Sequence, residues 1–182
     1  VTQGGLPPVP HPLAVEIRAK AAGRTVVGMI GLERRKGLLT LIRTAALAHR
    51  KNLPYYFVCA GAISLSEYSA SELAEIEETE HLIQGGMLDN LHFSTQAGRI
   101  PGEENFNSVF STFDIAWAAY ENFHGSSGTL GKAALFEIPC IASPGECIGH
   151  RVDTYRTGLT IPESTPENAL AAISHLAAGT DW

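Results

Sequence analysis

Short β-branched apolar runs alternate along this chain with stretches whose apolar residues recur at helical spacing, and that alternation leaves few folds open. Thr25–Ile30 (Thr-Val-Val-Gly-Met-Ile) reads as a strand buried on both faces. Leu38, Leu41, Ile42 and Ala45 then give a helix over about Gly37–His49. Tyr55–Ala60 is a second strand. The capping box Ser69-Ala-Ser-Glu72 opens a helix through Leu73, Ile76 and Ile83, which Gly85-Gly86 stops. Leu91–Ser94 is a short third strand, Asn105–Thr112 a short helix and Asp114–Tyr120 a fourth strand. Ser126–Phe136 is a helix, Ile138–Ser143 a fifth strand, and Leu159-Thr-Ile161 fits a sixth. Thr165-Pro166 opens a last helix through Leu176, ended by Gly179. The pattern predicts an α/β fold: a doubly wound, Rossmann-like parallel sheet with helices on both faces. Such sheets bind ligands beyond the carboxyl ends of their strands, so the loops after strands one, three, four and five are the places to search.

The first 23 residues read differently. Gly4-Gly5 and prolines at 7, 8, 10 and 12 mark a linker, so residues 1–23 are expected to be a hinge and lead-in segment before a domain over 24–182. The chain starts at Val1 with no signal-peptide pattern, which suggests a fragment of a longer protein. No run approaches the roughly eighteen consecutive apolar residues of a membrane span. Thirteen Lys+Arg against nineteen Asp+Glu give a net charge of −6, which argues against a general nucleic-acid coat but not against a local phosphate site. Cys59 and Cys140 lie in apolar strand-like runs and Cys147 in a loop, with no zinc or redox spacing. Buried reduced thiols in a cytoplasmic protein are the expectation. The seven histidines form no His-x-x-x-His cluster, and no metal site is predicted.

Two segments carry candidate chemistry. After strand one, Arg34, Arg35 and Lys36 stand at or just before a helix start, where each cation is unfavourable by a few tenths of a kcal/mol unless an anion offsets it. One reading is a phosphate or carboxylate held by these cations and the helix amides; the other is charges splayed into solvent. After strand four comes His124-Gly-Ser126-Ser127-Gly128-Thr129-Leu-Gly-Lys132. A cap at Ser126 or Ser127 leaves the next amides free for an anion, and Lys132, one turn in, leans back toward the same place. The competing reading is an ordinary capped helix. Two anion-ready helix starts on one sheet edge suit a diphosphate better than either alone. Arg99, in the loop after strand three, and Glu146, after strand five, are lesser candidates. The Arg99 stretch reads first as a surface loop, and Glu146 fits a plain strand-to-helix connection equally well.

Taken together, several motifs resemble the C-terminal, nucleotide-sugar-binding half of a GT-B glycosyltransferase of the group 1 type. They are Val27-Gly-Met-Ile-Gly31 with Lys36-Gly37; Phe113-Asp-Ile-Ala; Ser-Ser-Gly-Thr-Leu with Lys132-Ala; Ile138-Pro-Cys-Ile-Ala-Ser143; and Gly158-Leu-Thr-Ile with the last helix. The resemblance runs from about Arg24 to Gly179. It implies that the N-terminal acceptor domain is absent from this chain, and that residues 1–12 correspond to the hinge that follows it. It also implies that no cofactor is needed, the partner being a nucleotide-diphosphate sugar as donor. By resemblance, Lys36 is the cation that stabilises the departing diphosphate, with Arg34 or Arg35 in place of the family's out-of-register arginine.

Retaining members of the family carry two glutamates eight positions apart around the loop after strand four. Those places fall on His124 and Lys132 here. The second normally accepts hydrogen bonds from the donor ribose, whereas a lysine only donates and suits phosphate instead. His124 would face the sugar. The resemblance thus assigns Lys36, Arg35 and His124 to catalysis, and Arg34, Ser126, Ser127, Gly128, Thr129 and Lys132 to the diphosphate. It leaves Gly31, Arg99 and Glu146 to the nucleotide or sugar. A sugar-nucleotide epimerase of the same architecture and a non-catalytic binding module are the alternatives, and peripheral membrane association of the intact protein is compatible with all three.

Overall fold

A computed structural model of the chain describes residues 5–7, 9–162 and 165–179, with every side chain among these except that of Glu146. Helix α1 (Pro12–Ala21) precedes strand β1 (Thr25–Leu32), which a single 3-10 turn (Arg34–Lys36) joins to α2 (Leu38–Arg50). Then come β2 (Tyr55–Ile63), α3 (Ala70–Gln84), β3 (Leu91–His92), α4 (Glu103–Phe110) and β4 (Ile115–Ala118). The chain closes with α5 (Gly128–Leu135), β5 (Cys140–Ala142), α6 (Glu146–Tyr155), β6 (Gly158–Thr160) and α7 (Pro166–Ala177). The six strands form one sheet in the order β3-β2-β1-β4-β5-β6, and every neighbouring pair is parallel. This is the doubly wound arrangement, and its strand order reverses between β1 and β4.

The pleat of β1 sorts side chains between two cores. Val27 and Met29 join α2, α3 and α7 on one face, through Leu41, Ile42, Ile76 and Ile173. Val26 joins α1, α4, α5 and α6 on the other, through Ile17, Phe110, Ala133 and Val152. Each strand of the sheet's middle is thus covered on both sides, as a near-continuous apolar run requires. β4 is shorter than Asp114–Tyr120. The Asp114 carboxylate accepts from the Val26 amide at 2.7 Å, and the Tyr120 amide turns back to the Ala118 carbonyl at 2.9 Å.

Two helices were not legible in advance. α1 lies within the expected lead-in segment and packs Ala14, Ile17 and Ala21 into the core, with the His11 ring as its cap. Two of its three buried residues are alanines and Val15 is exposed, so the stripe is faint. α6 occupies the segment read as a loop after strand five. Gly145 caps it at φ 69°, and among the described residues its large buried side chains are Ile148 and Val152, four residues apart. Among the described residues no helix is long and apolar enough to cross a membrane, and no group of three His, Cys, Asp or Glu side chains stands ready to hold a metal ion.

Candidate diphosphate site

The loop after β1 is pinned from three sides. The buried Trp117 of β4 donates its indole N–H to the Lys36 carbonyl at 3.0 Å. The Glu121 amide donates to the Arg35 carbonyl at 2.7 Å. Arg34 turns to α3 and grips Glu72 in a fork, Nη2 to Oε1 at 2.6 Å and Nε to Oε1 at 2.9 Å, with Glu121 at 3.7 Å. The Arg34 fork and the Ser69 amide of the capping box pull the Glu72 carboxyl down to about 2. Arg34 therefore fastens the turn to α3 and does not line the cavity that Gly31 and Lys132 share.

Lys36 does the opposite. Its side chain is only 18% exposed; the ammonium donates to the Ile30 carbonyl at 3.4 Å and lies 3.1 Å from Glu33 Oε1. Burial resists ionisation of Glu33, yet the hydrogen bonds and charges of Lys36 and Arg35 hold its carboxyl below the usual range. Solvent splay is thereby ruled out for Lys36. Arg35 pairs with Glu33 and lays its guanidinium over the Phe123 ring at 4.8 Å, which ties it to the segment after β4.

The start of α5 is equally fixed. Ser127 is its cap, accepting from the Thr129 amide at 3.1 Å and donating to the Tyr120 hydroxyl at 3.0 Å. That hydroxyl also meets Thr129 Oγ1 at 2.9 Å. Both side-chain hydroxyls are committed to Tyr120, a residue the sequence did not single out. Helix geometry leaves the Gly128 and Leu130 amides without intrahelical partners. A Cβ at Gly128 would meet nothing within 4 Å, so space is open beside the first residue of α5.

That space is a cavity of about 680 Å³, within the range of small-molecule sites. Gly31 and Lys36 from the β1 side, Gly61 from the end of β2, Gly128 and Lys132 from α5, and Arg99, Glu103 and Phe106 around α4 all line it. Gly31 and Gly61 adopt φ +86° and +98°, and a Cβ on Gly61 would come within 3.1 Å of the Gly31 nitrogen; backbone, not side chain, forms this wall. Lys132 is 17% exposed and pairs with Glu103 Oε1 at 2.6 Å. Three cations, Lys36, Arg99 and Lys132, and two carboxylates, Glu33 and Glu103, thus line one cavity at the topological switch point, two of the cations already paired with the carboxylates.

Five of the sequence candidates meet there: Gly31, Lys36, Arg99, Gly128 and Lys132. Arg34, Arg35, Ser127 and Thr129 support the wall from behind, and His124 and Ser126 are exposed outside it. Glu146 opens α6, and its side chain lies outside the described residues. Glu103 was missed. An acidic pair after Gly102 announces a helix start, but nothing local reveals a partner 29 residues on.

No protein-family model matches this chain, and no curated protein matches it by sequence. Solved structures do. The C-terminal domain of a glycosyl transferase group 1 family protein (LpcC) from Francisella tularensis superposes with a TM-score of 0.65 over 96% of this chain and 85% of that one, at 16% identity. The fold is that of a GT-B glycosyltransferase C-terminal domain. Anabaena Alr3699/HepE, solved in complex with UDP, shares this GT-B fold at TM-score 0.66 and 15% identity, over 98% of this chain and 46% of its own. An E. coli trehalose-6-phosphate structure bound with UDP-2-fluoro glucose gives 0.68 and 12%, over 96% and 40%. The chain thus spans less than half the length of the latter two, and at such identities the GT-B likeness is one of fold.

Proposed function

We propose that this chain is the donor-binding domain of a glycosyltransferase that moves a sugar from a nucleotide-diphosphate sugar to an acceptor. One observation carries the reading: Lys36, the first residue of α5 (Gly128) and Lys132 line a single cavity at the carboxyl edge of a GT-B-type sheet. Fixed cations beside a helix start suit charge that grows on a leaving diphosphate. The neighbours solved with UDP and UDP-2-fluoro glucose support a nucleotide sugar as the ligand class. Lys36 and Lys132 would hold the phosphates. The base would lie toward Arg99 and Ile100, beside an adjoining hollow of about 390 Å³ lined also by His92 and Ser94. Arg35 and His124, outside the cavity wall, would act only toward the sugar or the acceptor side. An acceptor domain would supply the remaining half of the site. We place the protein in the cytoplasm, a reading supported by cysteines that stay free: Cys59, Cys140 and Cys147.

The test is a thermal-shift panel of UDP, GDP, ADP and their sugars. A ligand at about a hundredfold its Kd adds roughly 2.7 kcal/mol. A shift with at least one diphosphate is expected, and no shift with any would remove the reading. A non-catalytic binding module is favoured by one observation, the exposure of His124 outside the cavity. It predicts the same shifts with no turnover in the full-length protein.

A further inference from the structure

Lys132 already holds an anion. Its side chain is 17% exposed, its ammonium lies 2.6 Å from Oε1 of Glu103, and both residues line the cavity. The two carboxylates of the cavity reach their lysines in different ways. Glu33 stands three residues before Lys36 and also pairs with Arg35, so it travels with its cations. Glu103 opens α4 and meets a lysine of α5, 29 residues on. The second pair therefore straps two separate elements together at the cavity wall. Glu103 is 51% exposed, so once released by Lys132 its carboxylate has water to turn to.

We infer that the Glu103–Lys132 pair is an autoinhibitory contact: Glu103 occupies the ammonium that a bound diphosphate needs, and gives it up when the diphosphate arrives. The inference rests on the diphosphate reading above and names a regulation of that same site. An ammonium has three donors, but a carboxylate and a phosphate gathered on one nitrogen repel each other. Magnitudes decide which anion stays. An ion pair partly in water is worth up to about fivefold in an equilibrium, whereas a charge-assisted hydrogen bond to phosphate is worth about tenfold or more. The phosphate wins, and α4 is then no longer strapped to α5 by this pair. Glu104 carries the same charge one residue further on, is exposed, and does not line the cavity.

The experiment is a double-mutant cycle on this chain. Kd for UDP, GDP and ADP is measured by titration calorimetry on wild type, Glu103→Gln, Lys132→Ala and the double variant, with Glu104→Gln as the control for lost charge. For the tightest of the three nucleotides, Glu103→Gln should tighten binding about three- to fivefold and Glu104→Gln should change it by less than about twofold. In the Lys132→Ala background, Glu103→Gln should change it by less than about twofold, because there is no ammonium left to release. Equal tightening in both backgrounds would mean that Glu103 repels the ligand directly. Unchanged or weaker binding by Glu103→Gln would mean that the pair does not stand in the ligand's way. Either result overturns the inference and leaves the diphosphate site standing. If none of the three nucleotides binds the wild-type chain, the diphosphate reading fails and this inference with it.

Discussion

A Cβ placed on Gly31 would stand 2.5 Å from the Nζ atom of Lys36. The last glycine of β1 and the cation of the next turn are therefore one unit. The side chain of the lysine lies where any other residue at position 31 would put its own. This explains how a positive charge sits next to the start of α2 without facing outward. It also makes position 31 a probe of the site.

Gly31→Ala forces an L-residue into φ +86° and displaces the ammonium. The backbone strain is about 1–2 kcal/mol, whereas the lysine tip moves at little cost. Chemical denaturation should show a stability loss of that size. Titration with UDP should show weaker binding in addition, because Lys36 no longer points into the cavity.

Trp117→Phe keeps most of the packing at a fully buried position but removes the indole donor to the Lys36 carbonyl. A half-buried carbonyl left unpaired costs about 1–3 kcal/mol. Urea unfolding should report that loss, and nucleotide affinity should fall with it because the turn carrying Lys36 is loosened. Unchanged affinity would mean that the turn holds its shape without β4.

The Glu72 carboxyl titrates at about 2 in the folded chain against 4.5 ordinarily, owing first to the Arg34 fork. A depressed folded value stabilises above the unfolded one and loses that contribution as pH falls toward the folded one. Stability should therefore decline between pH 4.5 and about 2. Glu72→Gln should lower stability at neutral pH and flatten that part of the acid profile, as followed by circular dichroism. An unaltered profile would show that the Arg34–Glu72 fork is not formed in solution.

The sheet was legible because its strands are apolar on both faces and its helices carry caps and stripes. The Ser69–Glu72 box and the Ser127 cap form at the positions their residues suggest. What escaped was whatever depended on distance along the chain. α1 buries alanines that give little contrast, and α6 buries few large apolar side chains, Ile148 and Val152 among the described residues. Arg34, Arg35 and Lys36 look alike in sequence, yet Glu72, Phe123 and the Gly31 backbone sort them into three different roles. Glu72 and Phe123 lie far along the chain from the run, and the nearby Glu33 pairs with both Arg35 and Lys36 and so does not tell them apart. Glu103 was invisible for the same reason, acting on α5 from α4, and Tyr120 acts on it from the segment just past β4.

The central claim is that Lys36 and Lys132 jointly hold a diphosphate. Isothermal titration with UDP, GDP and ADP, with the matching nucleosides as controls, tests it on the wild-type chain, Lys36→Ala and Lys132→Ala. Each substitution should weaken the tightest diphosphate roughly ten- to a hundredfold, as expected for a charge-assisted hydrogen bond, and leave the nucleoside unchanged. Diphosphate binding indifferent to both lysines, or none to the wild-type chain, would contradict it.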